Sequence, residues 1–156
     1  MNIEIRTASN QNDIESIRLL FTEYEKAIGV DLCFQGFAEE LADLPGRYSS
    51  PEGALLLAFV DSTLAGCVAL RWYDHNTCEM KRLYAKPDFR GLGLGRKLAL
   101  AVIEEASQIG YTKMRLDTLP SMTEAIAMYK TLGFVEIKPY RYNPVKGAIY
   151  MEKELG

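Results

Sequence analysis

Histidine is almost missing from this chain. Among 156 residues only His75 occurs, in the segment WYDHNT, between two strand-like runs and among turn formers. A Ser–His or Cys–His nucleophile, or most zinc sites, would have to rest on that one ring. A solvated turn position is expected for it instead. Cysteine is scarce too: Cys33, Cys67 and Cys78 are odd in number and lack CxxC spacing. That argues against a disulfide framework or a structural zinc site, suits a reducing cytoplasm, and leaves buried small hydrophobes as the expectation. Long apolar runs are absent. ALLLAFV (54–60) and LALAVI (98–103) are the longest, far short of the roughly 20 residues of a membrane span. MNIEIRT carries no apolar segment flanked by basic residues, so no signal peptide and no membrane partner are expected. Positive charge is not in excess: the net charge is −3 and the pI about 5.3, which excludes bulk polyanion binding and a nucleic-acid partner.

What is present is ordinary globular material, 48% hydrophobic and 25% charged. The length suits one domain, expected to run over 1–156. IEIRTA (3–8) alternates as a strand. Residues 9–13 then introduce a helix to about Ala27, its stripe formed by Ile14, Ile17, Leu20, Phe21 and Tyr24 and its stop by Gly29. A second helix is expected over 35–43, and strands over 54–60, 64–72 and 77–85. A helix to Ile109, a strand over 111–118, a helix over 121–132, FVEI and a last strand over 147–155 complete the order. This is a mixed α/β pattern around one central sheet.

The informative stretch is RGLGLGRKL (90–98). Strand, glycine-rich turn and helix start gather free N–H groups and a positive dipole end at one point. Gly91, Gly93 and Gly95 let an anion approach the backbone, and Lys86, Arg90, Arg96 and Lys97 add charge around it. The alternative is a loose turn before a solvated helix. Lys97 is followed by Leu98, so this is no P-loop; GxGxG after four strands is no dinucleotide fingerprint either.

Arg90-x-x-Gly93-x-Gly95 resembles the [QR]xxGx[GA] pyrophosphate motif of the GNAT superfamily of acetyl-CoA-dependent N-acetyltransferases. Ala125, Met128, Tyr129, Gly133 and Phe134 are similar to that family's A-x-x-[LM]-Y-x-x-x-G-F region. The resemblance is strong over 54–135, and the element order extends it to nearly the whole chain. It implies a twisted, mixed, mostly antiparallel sheet of roughly six to seven strands flanked by about four helices. It also implies acetyl-CoA as co-substrate and no metal. The pyrophosphate falls to Arg90, Gly91, Gly93, Gly95 and Arg96, and the pantetheine arm to main-chain groups of Leu83 and Ala85. Two positions depart from the family: Met122 stands where many members carry asparagine, and Ala85 where valine is usual.

Acetyl transfer to an amine needs the amine deprotonated, the thioester oxygen stabilised and the leaving thiolate protonated, with both substrates bound together. Tyr129, a phenol of pKa about 10 facing a thiol of about 8.5, is the candidate acid; a core aromatic is the alternative. Glu79, eleven residues before Arg90, is the candidate base, directly or through a water, with a pKa raised toward neutrality by a partly buried cleft. A surface charge paired with Lys81 or Arg82 is its alternative. Strict alternation sets Glu79, Lys81 and Leu83 on one sheet face and Met80, Arg82 and Tyr84 on the other, unless a bulge intervenes. Arg82 and Arg71 could grip an acidic acceptor, and Tyr140 and Tyr142 of PYRYNP (139–144) could line its site. The expected acceptor is a small-molecule amine. A peptide N-acetyltransferase and a non-catalytic acyl-CoA sensor are the rival readings, and a homodimer through paired sheet edges stays open.

Overall fold

The computed structural model describes residues 1–30, 32 and 36–156. Cys33 and the first residue of the helix expected from 35 lie outside them. In chain order the elements are β1 (Ile3–Thr7), α1 (Gln11–Ile28), α2 (Phe37–Ala42), β2 (Ala54–Val60), β3 (Thr63–Asp74), β4 (Thr77–Ala85), α3 (Leu94–Ile109), β5 (Lys113–Thr118), α4 (Thr123–Thr131), β6 (Val135–Ile137) and β7 (Ile149–Glu154). Short 3-10 turns at Gly46–Tyr48 and Pro87–Phe89, which periodicity did not reveal, join them.

Seven strands form one sheet in the order β1-β2-β3-β4-β5-β7-β6. Every pairing is antiparallel except β4 with β5. Helices cover both faces, which is why ALLLAFV is apolar throughout rather than alternating. Leu55 and Leu57 pack with Ile17, Leu20 and Phe21 of α1 and Phe37 of α2. Leu56 and Ala58 pack with Leu98, Ala99 and Val102 of α3 on the opposite face. α1 begins where the Asn10 side chain accepts from the Asp13 amide and ends at left-handed Gly29, the capping chemistry its flanking residues announce.

The regularity breaks at one point in β4. Cys67 pairs with Tyr84 and Ala69 with Lys81, so Arg82 and Leu83 together face the single residue between Cys67 and Ala69. Arg82 takes a left-handed backbone, φ 60°, the signature of a β-bulge. Strict alternation is therefore corrected beyond Lys81. Leu83 and Ala85 pack with the α3-side cluster beside Met80, and Tyr84 with the α1-side cluster. Next to the bulge Gly66 is tightly enclosed: a Cβ there would lie 2.5 Å from the Tyr84 carbonyl oxygen.

Candidate active site

The parallel β4–β5 ladder ends at Glu79 opposite Arg115. Beyond it the strands diverge, and the β5-facing edge of β4 is left without a partner strand. A narrow gap opens there, lined by Lys81, Arg82, Leu83, Asp117, Tyr129 and Asn143. It leads to a larger cavity of about 540 Å³ that touches Leu83, Ala85, Arg90, Gly91, Gly93, Gly95 and Arg96. All seven positions expected to hold a nucleotide cofactor thus meet around one space.

Local backbone explains that space. Gly93, at φ 71°, is the N-cap of α3 and supplies no side-chain cap. The first amides of a 16-residue helix are left for an external acceptor. No atom lies within 4 Å of a Cβ built on Gly91, Gly93 or Gly95, so the loop is an open cradle. Arg96 donates to the Thr131 hydroxyl at 2.8 Å, tying α3 to α4 across the mouth. Met122, Ala125 and Met128 supply an apolar wall. Open amides, flanking guanidiniums and a free strand edge leading inward fit an acyl-CoA: anionic pyrophosphate outside, amide-bearing arm within. Lys86 pairs instead with Glu23 at 3.5 Å.

Tyr129 reaches the gap from α4, 6% exposed, with its ring edge-on to Phe134 at 5.7 Å. Burial, with weaker contributions from Tyr24 and Asp117, raises its pKa. The phenol therefore stays protonated. It also belongs to the apolar cluster around α3, so the core position and the site position coincide.

Glu79 departs from expectation. It is fully buried, and both oxygens are engaged. Arg71 Nε donates to Oε1 at 2.8 Å, the Tyr140 hydroxyl donates to Oε2 at 2.7 Å, and Arg141 also pairs with Oε2. Burial favours the neutral carboxyl, but the charges of Lys81, Arg71 and Arg141 and the Tyr140 hydrogen bond outweigh it. They pull the group down to about 2. The raised pKa expected from the sequence is thus reversed, because a charged partner stabilises the ionised form more than desolvation penalises it. Its partners are Arg71 and Arg141, rather than a surface pairing with Lys81 or Arg82.

Lys81 also lines the gap. Its side chain is buried, with Nζ 3.9 Å from Asp117 Oδ1. Burial lowers its ammonium to about 7 against the attraction of Glu79 and Asp117. Arg82 lines the gap, as a bulge allows, but its charge is taken: Nε and Nη2 donate to the two Glu40 oxygens at 3.0 and 2.9 Å. Tyr140 joins the Glu79 cluster, stacked edge-on between Tyr73 and Tyr150 at 5.2 Å each. Tyr142 does not; it is 76% exposed. A further cavity of about 360 Å³ lies under α2, lined by Glu40, Arg47, Tyr48 and Arg71 among others.

Sequence reasoning singled out neither Lys81, Arg141, Arg47 nor Tyr48. Arg141 carried the one available signal, a cation between the two tyrosines of PYRYNP. His75 is exposed in the β3–β4 turn, and Cys67 and Cys78 are buried thiols. Burial pushes the Cys78 thiol up to about 12. No helix among the described residues is long and apolar enough to cross a membrane.

Comparison with known proteins agrees with this geometry. The profile of the acetyltransferase (GNAT) family matches residues 15–134. An uncharacterised N-acetyltransferase of Schizosaccharomyces pombe is 38% identical, over 99% of this chain and 96% of that protein. The crystal structure of a GNAT-family acetyltransferase from Staphylococcus aureus superposes with a TM-score of 0.81 at 22% identity, covering 99% of this chain and all of that one. The PaiA N-acetyltransferase of Thermoplasma acidophilum, solved in complex with coenzyme A, superposes at 0.74 and 24% identity, covering 99% of each chain.

Proposed function

The chain belongs to the acetyltransferase (GNAT) family, and we propose that it moves the acetyl group of acetyl-CoA directly to a primary amine of a small molecule. The observation carrying the small-molecule reading is a cavity of bounded size beneath α2. The Arg82–Glu40 pair and the Glu79–Arg141 pair bind α2 and the β6–β7 connection to the sheet. Beneath α2 lies a cavity of about 360 Å³ lined by Glu40, Arg47, Tyr48 and Arg71, within the range of small-ligand sites. An extended peptide would need an open groove there.

In this reading the amides of Gly91, Gly93 and Gly95, with Arg90 and Arg96, hold the pyrophosphate. The free β4 edge at Leu83 and Ala85 holds the pantetheine arm as an added strand, and one of its N–H groups faces the thioester oxygen as negative charge develops. Tyr129, kept protonated by burial, gives its proton to the leaving thiolate. Lys81, neutral above about pH 7, takes the proton that the attacking amine releases. Glu79 stays ionised and holds Arg71 and Arg141 in place, so it positions the acceptor wall rather than accepting a proton.

The test is thiol release from acetyl-CoA with separate pools of amino acids, polyamines, aminoglycosides and short peptides. Turnover in a small-amine pool, reduced in Tyr129→Phe, supports the reading. Turnover with peptides alone favours a peptide acetyltransferase. Coenzyme A binding without turnover in any pool favours a sensor.

A further inference from the structure

The cavity beneath α2 holds polar groups that its own walls leave unsatisfied. Tyr48 is 3% exposed, and its buried hydroxyl lies beside the Glu40 carboxylate, whose oxygens are taken by Arg82, without a well-formed hydrogen bond of its own. Arg71 spends its Nε on Glu79, which leaves its terminal nitrogens for another acceptor. Arg47, at the solvent side of the same cavity, forms no ion pair among the described residues. Glu79 pairs with Arg71 but is shared with Arg141, and the other acids nearby are engaged elsewhere or stand at the rim. Both Glu40 oxygens accept from Arg82. Glu39 and Asp43 are exposed near the two ends of α2, and Asp43 Oδ2 turns toward Gly46, 3.0 Å from where a Cβ would stand. Arg71 in turn depresses the Arg47 pKa, ahead of burial; the two guanidiniums repel across an unfilled space.

A planar anion with two acceptor oxygens supplies what each of these groups lacks. It receives a guanidinium fork and a phenol proton together, the geometry at which arginine exceeds lysine. A dianionic phosphate fits less well, because Glu39 and Asp43 stand at the rim. One ion pair separates the cavity from the gap that holds Tyr129. Glu40 faces the cavity, while Arg82, bonded to Glu40, faces the gap that holds Leu83 and Tyr129. We propose that the acceptor amine carries a carboxylate, bound by Arg47, Arg71 and the Tyr48 hydroxyl, with its amino end directed past the Glu40–Arg82 pair to the thioester. This rests on the acetyl-transfer reading above.

The experiment pairs α- and ω-amino carboxylates with the same skeletons as primary amides. In the wild type the carboxylates are expected to exceed the amides at least roughly tenfold in kcat/KM. Arg47→Gln should raise the carboxylate KM about tenfold, the loss of one charge-assisted contact at a partly solvated site, with the KM for acetyl-CoA unchanged. Arg47→Lys should recover part of the loss, and Tyr48→Phe should raise KM less. Equal use of carboxylates and amides, or an unaltered KM in Arg47→Gln, overturns the inference while leaving amine acetylation intact. A second arm needs no turnover. Glutarate, which has no amine to react, should raise the melting temperature of the coenzyme A-bound wild type and not that of Arg47→Gln. No shift in the wild type overturns the carboxylate site. A shift without turnover of any amine supports the site and counts against the transferase reading alone.

Discussion

The Tyr140 hydroxyl donates to Glu79 Oε2 over 2.7 Å, across 61 positions of sequence. That bond joins the β6–β7 connection to the centre of the sheet. With Arg71 and Arg141 it turns a carboxylate on a buried strand into the anchor of that connection.

Glu79→Gln leaves two arginines and Lys81 facing a neutral amide at a buried position. Breaking a buried pair by removing one partner costs about 3–5 kcal/mol. The melting temperature should therefore fall by roughly 6–20 °C in a chain of this size. Activity should drop while the pH profile keeps its shape. A lost acid limb in Glu79→Gln would instead identify Glu79 as the base.

Tyr129→Phe removes the one proposed proton donor and keeps the ring against Phe134. The kcat should fall roughly 10²-fold or more. Coenzyme A affinity, followed by calorimetry, should be unaffected. A substrate with a better thiol leaving group should narrow the gap between variant and wild type.

Lys81 sets a pH dependence of its own. The wild-type rate should rise with pH through about 7 as its ammonium deprotonates, and this limb should vanish in Lys81→Met. Stability has a matching sign. With the folded pKa at about 7 and the unfolded one at about 10.4, the unfolded chain binds the extra proton between them. The contribution of Lys81 to stability therefore improves as pH rises across that window. Melting curves should show Lys81→Met gaining most on the wild type near pH 6 and least near pH 10.

Gly95 lies inside α3 over open space. Leucine there suits the helix, by about 0.5–1 kcal/mol relative to glycine, but fills the cradle. Gly95→Leu should hold or raise the melting temperature and increase the KM for acetyl-CoA at least tenfold. A variant that loses both would show the glycine to be structural.

Periodicity made most of the scaffold legible. The stripe of α1, the apolar run of β2 and the glycine stops at Gly29 and Gly110 each follow from local physics, and the helix and strand limits fall within a few residues of them. The glycine loop was legible because several backbone constraints coincide in nine residues. The state of Glu79 was not, since Arg71, Tyr140 and Arg141 stand 8, 61 and 62 positions away and only the folded sheet brings them together. The site of the bulge escaped for a different reason. An arginine with positive φ leaves no trace in composition, whereas glycine or asparagine would have.

That bulge makes β4 sensitive to length. Removing one residue of the bulge would restore strict alternation with Leu83 still facing α3, and would let the strand continue its ladder with β5. The cleft would close as a zipper closes, with the glycine loop and Tyr129 still present. Relatives of this chain should thus vary freely in side chain across this stretch and hardly at all in residue count.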